Sequence, residues 1–111
     1  MDKLLAQITN SIQQYRDLQD ALDFSQCETL VNIMKRLSSD LFFLEKYLDD
    51  ERQDYYSTIV KLLKNHSATE AEKRAKDLHP EKRMLERFTI SAYKVLESVR
   101  SHLSYLKNEK Q

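Results

Sequence analysis

The sequence predicts an all-α protein, a long antiparallel helical hairpin or helical bundle with coiled-coil-like seams, and three observations predict it. The 111 residues include no Gly and a single Pro, Pro80, which removes the residues that positive-φ turns and tight hairpins depend on. Leu, Lys, Glu, Gln and Arg, all strong helix formers, are abundant. Apolar residues recur at steps of three and four, the period of a helix with one buried face. The length suits one domain, residues 1–111, with helices expected at about 3–23, 26–64, 68–78 and 80–107.

Leu5, Ile8, Ile12, Tyr15 and Leu22 mark the narrow seam of the first helix. Ser25 with Glu28 three residues later matches a capping box, so the second helix is expected to begin near Gln26. Leu30, Met34, Leu37, Leu41, Leu44 and Leu48 carry its seam, and Tyr55, Ile59 and Leu62 resume it after the polar run at 49–54. Unbroken to Lys64, this helix is about 58 Å long at about 1.5 Å per residue. Asp50 with Gln53 offers an alternative start for a separate helix, so the pattern fits one helix or two.

Asn65, His66 and Ser67 read as a loop, with Asn65 suited to a left-handed helix end and Ser67 with Glu70 as a second capping box. Ala68, Ala71 and Ala75 open the next helix, and Pro80 breaks or kinks it while pushing His79 toward extended backbone. Leu85, Phe88, Ala92, Val95, Val99, Leu103 and Leu106 carry the last seam. The core expected from these seams is Leu37, Leu41, Leu44, Leu48, Phe88, Val95, Val99 and Leu103.

Charged residues make up 32% of the chain and the longest purely apolar run is Leu41 to Leu44, far short of the roughly 20 residues of a membrane span. A soluble protein that engages no membrane is therefore expected. The N-terminus has no apolar run and no small-residue cleavage site of the secretory kind. Cys27, the single cysteine, allows no internal disulfide and fits a reducing, cytoplasmic compartment. Net charge is zero, yet residues 1–60 hold 6 Lys and Arg against 11 Asp and Glu, and residues 61–111 hold 12 against 7. The two halves either neutralise each other side by side or leave a basic surface for a partner.

Several chemistries lack their residues. Phosphate-cradling loops need glycines for close backbone approach, and there are none. Helical di-iron sites need Glu-x-x-His pairs, but His66, His79 and His102 have no Glu three residues before them. The histidines and Cys27 form no metal-ligand spacing. Cys27 sits at a helix start, where the dipole favours a thiolate, and could be a nucleophile with a histidine as base, but a lone cysteine there is more often ordinary packing. Asp49, Asp50, Glu51 and Asp54 have the composition of a magnesium-binding aspartate motif, but Gln53 stands where a third carboxylate is required. The expectation is no enzyme, no catalytic residue, no metal and no cofactor.

Two surfaces remain. Successive helical residues point about 100° apart, so Leu41, Phe43 and Tyr47 cannot share one seam. Phe42, Phe43 and Tyr47 are therefore the expected oligomer interface, and a homo-oligomer is expected. Lys73, Lys76, Arg83, Arg87 and Lys94 recur at steps of three, four and seven and form a candidate nucleic-acid-binding stripe. Against that use, Glu70 with Arg74 and Glu72 with Lys76 are spaced as local ion pairs.

The order of parts resembles small helical-hairpin proteins from the early or recombination regions of bacteriophage genomes: a short first helix, a long second one, a loop into Ala71-Glu72 and Ala75, and a last helix running through Val99-Arg100-Ser101 to Leu106-Lys107. Pro80 departs from the unbroken last helix of that pattern. The resemblance implies a mobile-element accessory role beside DNA-handling proteins and carries over no functional residue. The expected function is a non-enzymatic interaction protein with a protein partner, the alternative a nucleic-acid-binding accessory protein.

Overall fold

A computed structural model describes residues 1–19 and 23–109. Among them are four α-helices and no strand: α1 (Asp2–Leu18), α2 (Cys27–Leu62), α3 (Ala68–Leu78) and α4 (Pro80–Glu109), with a 3-10 turn at Phe24–Gln26 before α2. The molecule is a rod of 64 × 25 × 20 Å.

α2 is the spine and runs unbroken through the polar run at 49–54. Leu30, Ile33, Leu37, Leu41, Leu44 and Leu48 are buried along it before the patch and Tyr55 after it, so burial on both sides carries the helix through residues that need none themselves. α4 packs antiparallel: Glu45 meets Tyr93, Arg52 meets Glu86, and Thr58 meets His79. α1 lies against the first half of α2, where Arg36 donates to the Gln14 side-chain oxygen at 2.5 Å. It also touches the far part of α4 through Tyr15 and His102. One half of the rod is thus three helices thick.

On α4 the buried positions are Leu85, Thr89, Ala92, Leu96, Val99, Leu103 and Leu106, an alternation of four and three. This corrects two expected core residues, because Phe88 and Val95 are only partly buried. They lie fourteen and seven residues before His102, on the same flank of α4 as that residue. Thr89 takes a core position because its hydroxyl donates to the Leu85 carbonyl at 2.7 Å, so burial leaves no polar atom unpartnered.

The ends differ from expectation in three places. α1 stops at Leu18 rather than near 23, and Leu22 lies outside the described residues. Ser25 does not cap α2, whose start carries no side-chain cap. Asp23 Oδ1 instead accepts from the Ser25 amide at 2.9 Å and from its hydroxyl, a local bond that competes with helix and starts the 3-10 turn. Asn65 is not left-handed, since no described residue has positive φ. α2 closes through right-handed Leu63 and a short turn to Asn65.

Ser67 does cap α3, its hydroxyl accepting from the Glu70 amide at 3.3 Å. The Glu70 carboxylate turns away to Arg74, so half of the capping box forms. Ala71 and Ala75, both fully buried, let α3 lie close on the last turns of α2. Pro80 is the first residue of α4, where its missing amide costs nothing. His79 stands between the two helices at φ −128°, ψ 60°, bonded to Thr58 at 2.8 Å.

Candidate functional site

Leu41, Leu44 and Leu48 face the core, and the 100° step between neighbours sends Phe42, Phe43, Lys46 and Tyr47 outward. Phe42 is 56% exposed, Phe43 50% and Tyr47 44%, which is far from the buried state usual for a clustered aromatic trio. The two phenyl rings meet edge to face with centroids 5.7 Å apart. The Lys46 ammonium lies 4.7 Å from the Phe42 centroid and 5.6 Å from that of Phe43, a cation–π contact worth about 0.5–1 kcal/mol when exposed. Lys35, exposed, lies on one side of this cluster along α2, and Asp49, Asp50 and Asp54, also exposed, on the other.

A second exposed apolar run, on the last turns of α2 and its C-cap residue, is not among the expected surfaces. Tyr56, Val60 and Leu63 are 60%, 63% and 46% exposed and stand at steps of four and three. Each follows by one residue a member of the inward set Tyr55, Ile59 and Leu62, and that doubled spacing was the available signal.

All five cations of the proposed stripe are exposed. Arg83, Arg87 and Lys94 lie on the face of α4 turned away from Leu85, Ala92 and Leu96, with exposed Ile90 among them. Lys73 and Lys76 are on α3, across the bend at His79. The bend brings Lys76 and Arg83 to one open cleft, which Asp77, Lys82 and Glu86 also line, so anionic and cationic groups mix there. Among the described residues none of the five makes an ion pair, and Glu72 does not pair with Lys76 as its spacing allows.

Their neighbours are engaged. Arg74 pairs with Glu70 at 3.0 Å. Lys82 pairs with Glu86 at 3.0 Å while its ammonium sits 4.5 Å above the Tyr55 ring. Arg52 reaches Glu86 from α2 at 3.3 Å. Burial alone would raise the Glu86 carboxyl, but hydrogen bonds and charge from Lys82 and Arg52 outweigh it and hold the group below its ordinary value. This inter-helix pair sets a cation of the acidic half against an anion of the basic half.

Several other titratable groups bond across the helices or lie against the core. The Tyr93 hydroxyl donates to Glu45 Oε1 at 2.6 Å. That bond, then burial and the carboxylate charge, push its pKa up to about 12. Burial raises Asp40, opposed by Arg36. His79 and His102 bond to Thr58 and Tyr15 on other helices, and Cys27 is partly buried against the core. Among the described residues no three His, Cys, Asp or Glu side chains gather as a metal-binding group, and no helix is long and apolar enough to cross a membrane. Comparison of the chain with protein-family models, with curated proteins and with solved structures gives no match.

Proposed function

We propose that the chain is a non-enzymatic helical interaction protein that docks through its exposed helix faces onto protein partners, a second copy of itself included. The observation that carries this reading is the aromatic cluster of Phe42, Phe43 and Tyr47, held half-exposed on the outside of the spine helix. Contiguous exposed apolar surface of this kind marks an interaction site more often than a solvated one. The reading includes the mobile-element accessory role that the order of helices implies, with no cofactor and a cytoplasmic setting.

The test is affinity capture from the native host with wild-type chain and with Phe42→Ser/Phe43→Ser, after circular dichroism shows both equally helical. A protein held by the wild type and lost by the variant supports the reading, and identical captures refute it. A second reading, nucleic-acid binding, draws on the five exposed cations without ion-pair partners, Lys73, Lys76, Arg83, Arg87 and Lys94. Phosphate contacts release counterions, so such binding falls steeply with salt. Loss of binding in Arg83→Glu/Arg87→Glu supports that reading, and no binding of single- or double-stranded nucleic acid at about 50 mM salt refutes it.

A further inference from the structure

We infer that the outer face of α2, from Lys35 to Asp54, is a two-fold docking surface on which a second copy of this chain lies antiparallel. The inference deepens the interaction reading above and rests on it for the view that this face is covered by protein. Its own support is the charge pattern along the helix.

Lys35 is exposed and has no acidic residue three or four positions away on its own helix, the neighbours there being Val31, Asn32, Ser38 and Ser39. Asp54 is the converse case: its neighbours at those positions are Asp50, Glu51, Ser57 and Thr58, none of them a cation. Among the described residues, Lys35, Asp50 and Asp54 make no ion pair. The face is therefore cationic at Lys35, carries Lys46 among the aromatic rings of its middle, and is mainly anionic from Asp49 to Asp54, where Arg52 is engaged with Asp49 and Glu86.

Such a pattern fits itself in one orientation. Turned antiparallel, Lys35 of each copy lies over Asp50 and Asp54 of the other, and the contact is made twice. Turned parallel, the acidic run at 49–54 meets its own copy, and like charges at close range repel. The midpoint between Lys35 and the Asp50–Asp54 pair falls at Phe43–Leu44. The two-fold axis set by the charges thus passes through the aromatic cluster, which supplies the apolar centre that a specific interface has inside its polar rim. Lys46, already over its own rings, comes to face the phenyl rings of the partner copy.

The dimensions suit a dimer. Lys35 to Asp54 spans about 28 Å at about 1.5 Å per residue, and the rod is 20 to 25 Å across. Across the full width of the rod the footprint is at most about 560–700 Å² per copy, below the roughly 800 Å² per partner of a standard stable interface and within the range of a weaker, concentration-dependent dimer. The same patch meets its own image here, as a two-fold contact requires, so assembly closes at two copies.

The experiment is analytical ultracentrifugation of the full chain and two charge variants, each checked for helicity. The wild type is expected to be a dimer at tens of micromolar. Lys35→Glu sets Glu against Asp at both ends, and Asp50→Lys/Asp54→Lys sets Lys against Lys, so each alone is expected to weaken the dimer at least tenfold. An equimolar mixture of the two variants matches opposite charges at both ends and is expected to restore a one-to-one dimer. A monomeric wild type, variants that dimerise as well as the wild type, or a mixture that stays monomeric overturns the pairing. So does a mass that climbs with concentration without a plateau, the mark of an open stack such as α2 on the basic face of α4. A monomer that still captures a host protein through Phe42 and Phe43 sinks the two-fold pairing alone, whereas loss of both sinks the interaction reading with it.

Discussion

The Tyr15 hydroxyl and His102 Nδ1 are hydrogen-bonded across the contact of α1 with α4, between residues 87 apart in the chain. Their rings are tilted by 51° with centroids 5.6 Å apart, and Tyr15 is almost fully buried, which raises its pKa against weaker lowering by Gln19 and Ser98. This bond is one of the polar ties of the first helix to the last. Tyr15→Phe keeps the ring and leaves the imidazole without that partner, so the chain should lose about 1–2 kcal/mol of stability. Urea denaturation measures it, and an unchanged midpoint would show that the bond does not hold α1.

The inward phase of α4 makes a sharper prediction, because it distinguishes adjacent residues. Leu96 is 1% exposed and Val95 only partly buried. Leu96→Ala should cost about 2–5 kcal/mol, and Val95→Ala about 1 kcal/mol or less. Equal losses would mean that the seam runs through Val95.

Tyr93 gives the alkaline limb of the stability curve. Its pKa rises from an ordinary value of 10.0 to about 12 in the folded chain, so the neutral form is favoured by folding. The resulting stability is fully present below pH 10 and is lost as pH climbs toward 12. Tyr93→Phe should flatten that loss. Glu86 acts in the opposite range: held below its ordinary 4.5, it contributes above that pH and loses the contribution as acid protonates it. Glu86→Gln should reduce acid sensitivity while costing little at neutral pH, since Arg52, one of its partners, is 45% exposed. Chemical denaturation across pH checks both.

At the other end of the rod, Ala71 is fully buried where α3 lies on α2. Ala71→Leu has no space to fill and should cost about 1–3 kcal/mol, with α3 displaced before the three-helix half is disturbed. Methyl spectra of Leu30 and Ile33 unchanged beside altered signals from Ala75 would report this, and uniform change along the rod would refute it.

The spine was legible because Leu37, Leu41, Leu44 and Leu48 admit one inward phase. α4 was not, since Leu85-Phe88-Ala92-Val95-Val99 and Leu85-Thr89-Ala92-Leu96-Val99 satisfy the same three-four spacing. Hydrophobicity alone prefers Phe88 and Val95. The structure takes Thr89 and Leu96: packing of α4 against α2 decides between the two phases, and the Thr89 hydroxyl, satisfied within its own helix, allows a polar residue there.

The exposed aromatics were legible for a related reason, as adjacent residues cannot share a face. The meeting of Lys76 with Arg83 was not, because the direction taken at His79 depends on how Ala71 and Ala75 seat α3.

The rod is three helices thick where α1 lies and thinner where α3 closes it. A section with fewer buried neighbours opens more cheaply, and local opening governs how fast backbone amides trade hydrogen for deuterium. Protection should therefore grade along a single helix, with amides of α2 near Leu37 exchanging only on global unfolding and those near Ile59 far sooner. The spine is continuous in geometry and graded in cooperativity, so α3 and the last turns of α2 can melt and re-form while the three-helix half stays folded.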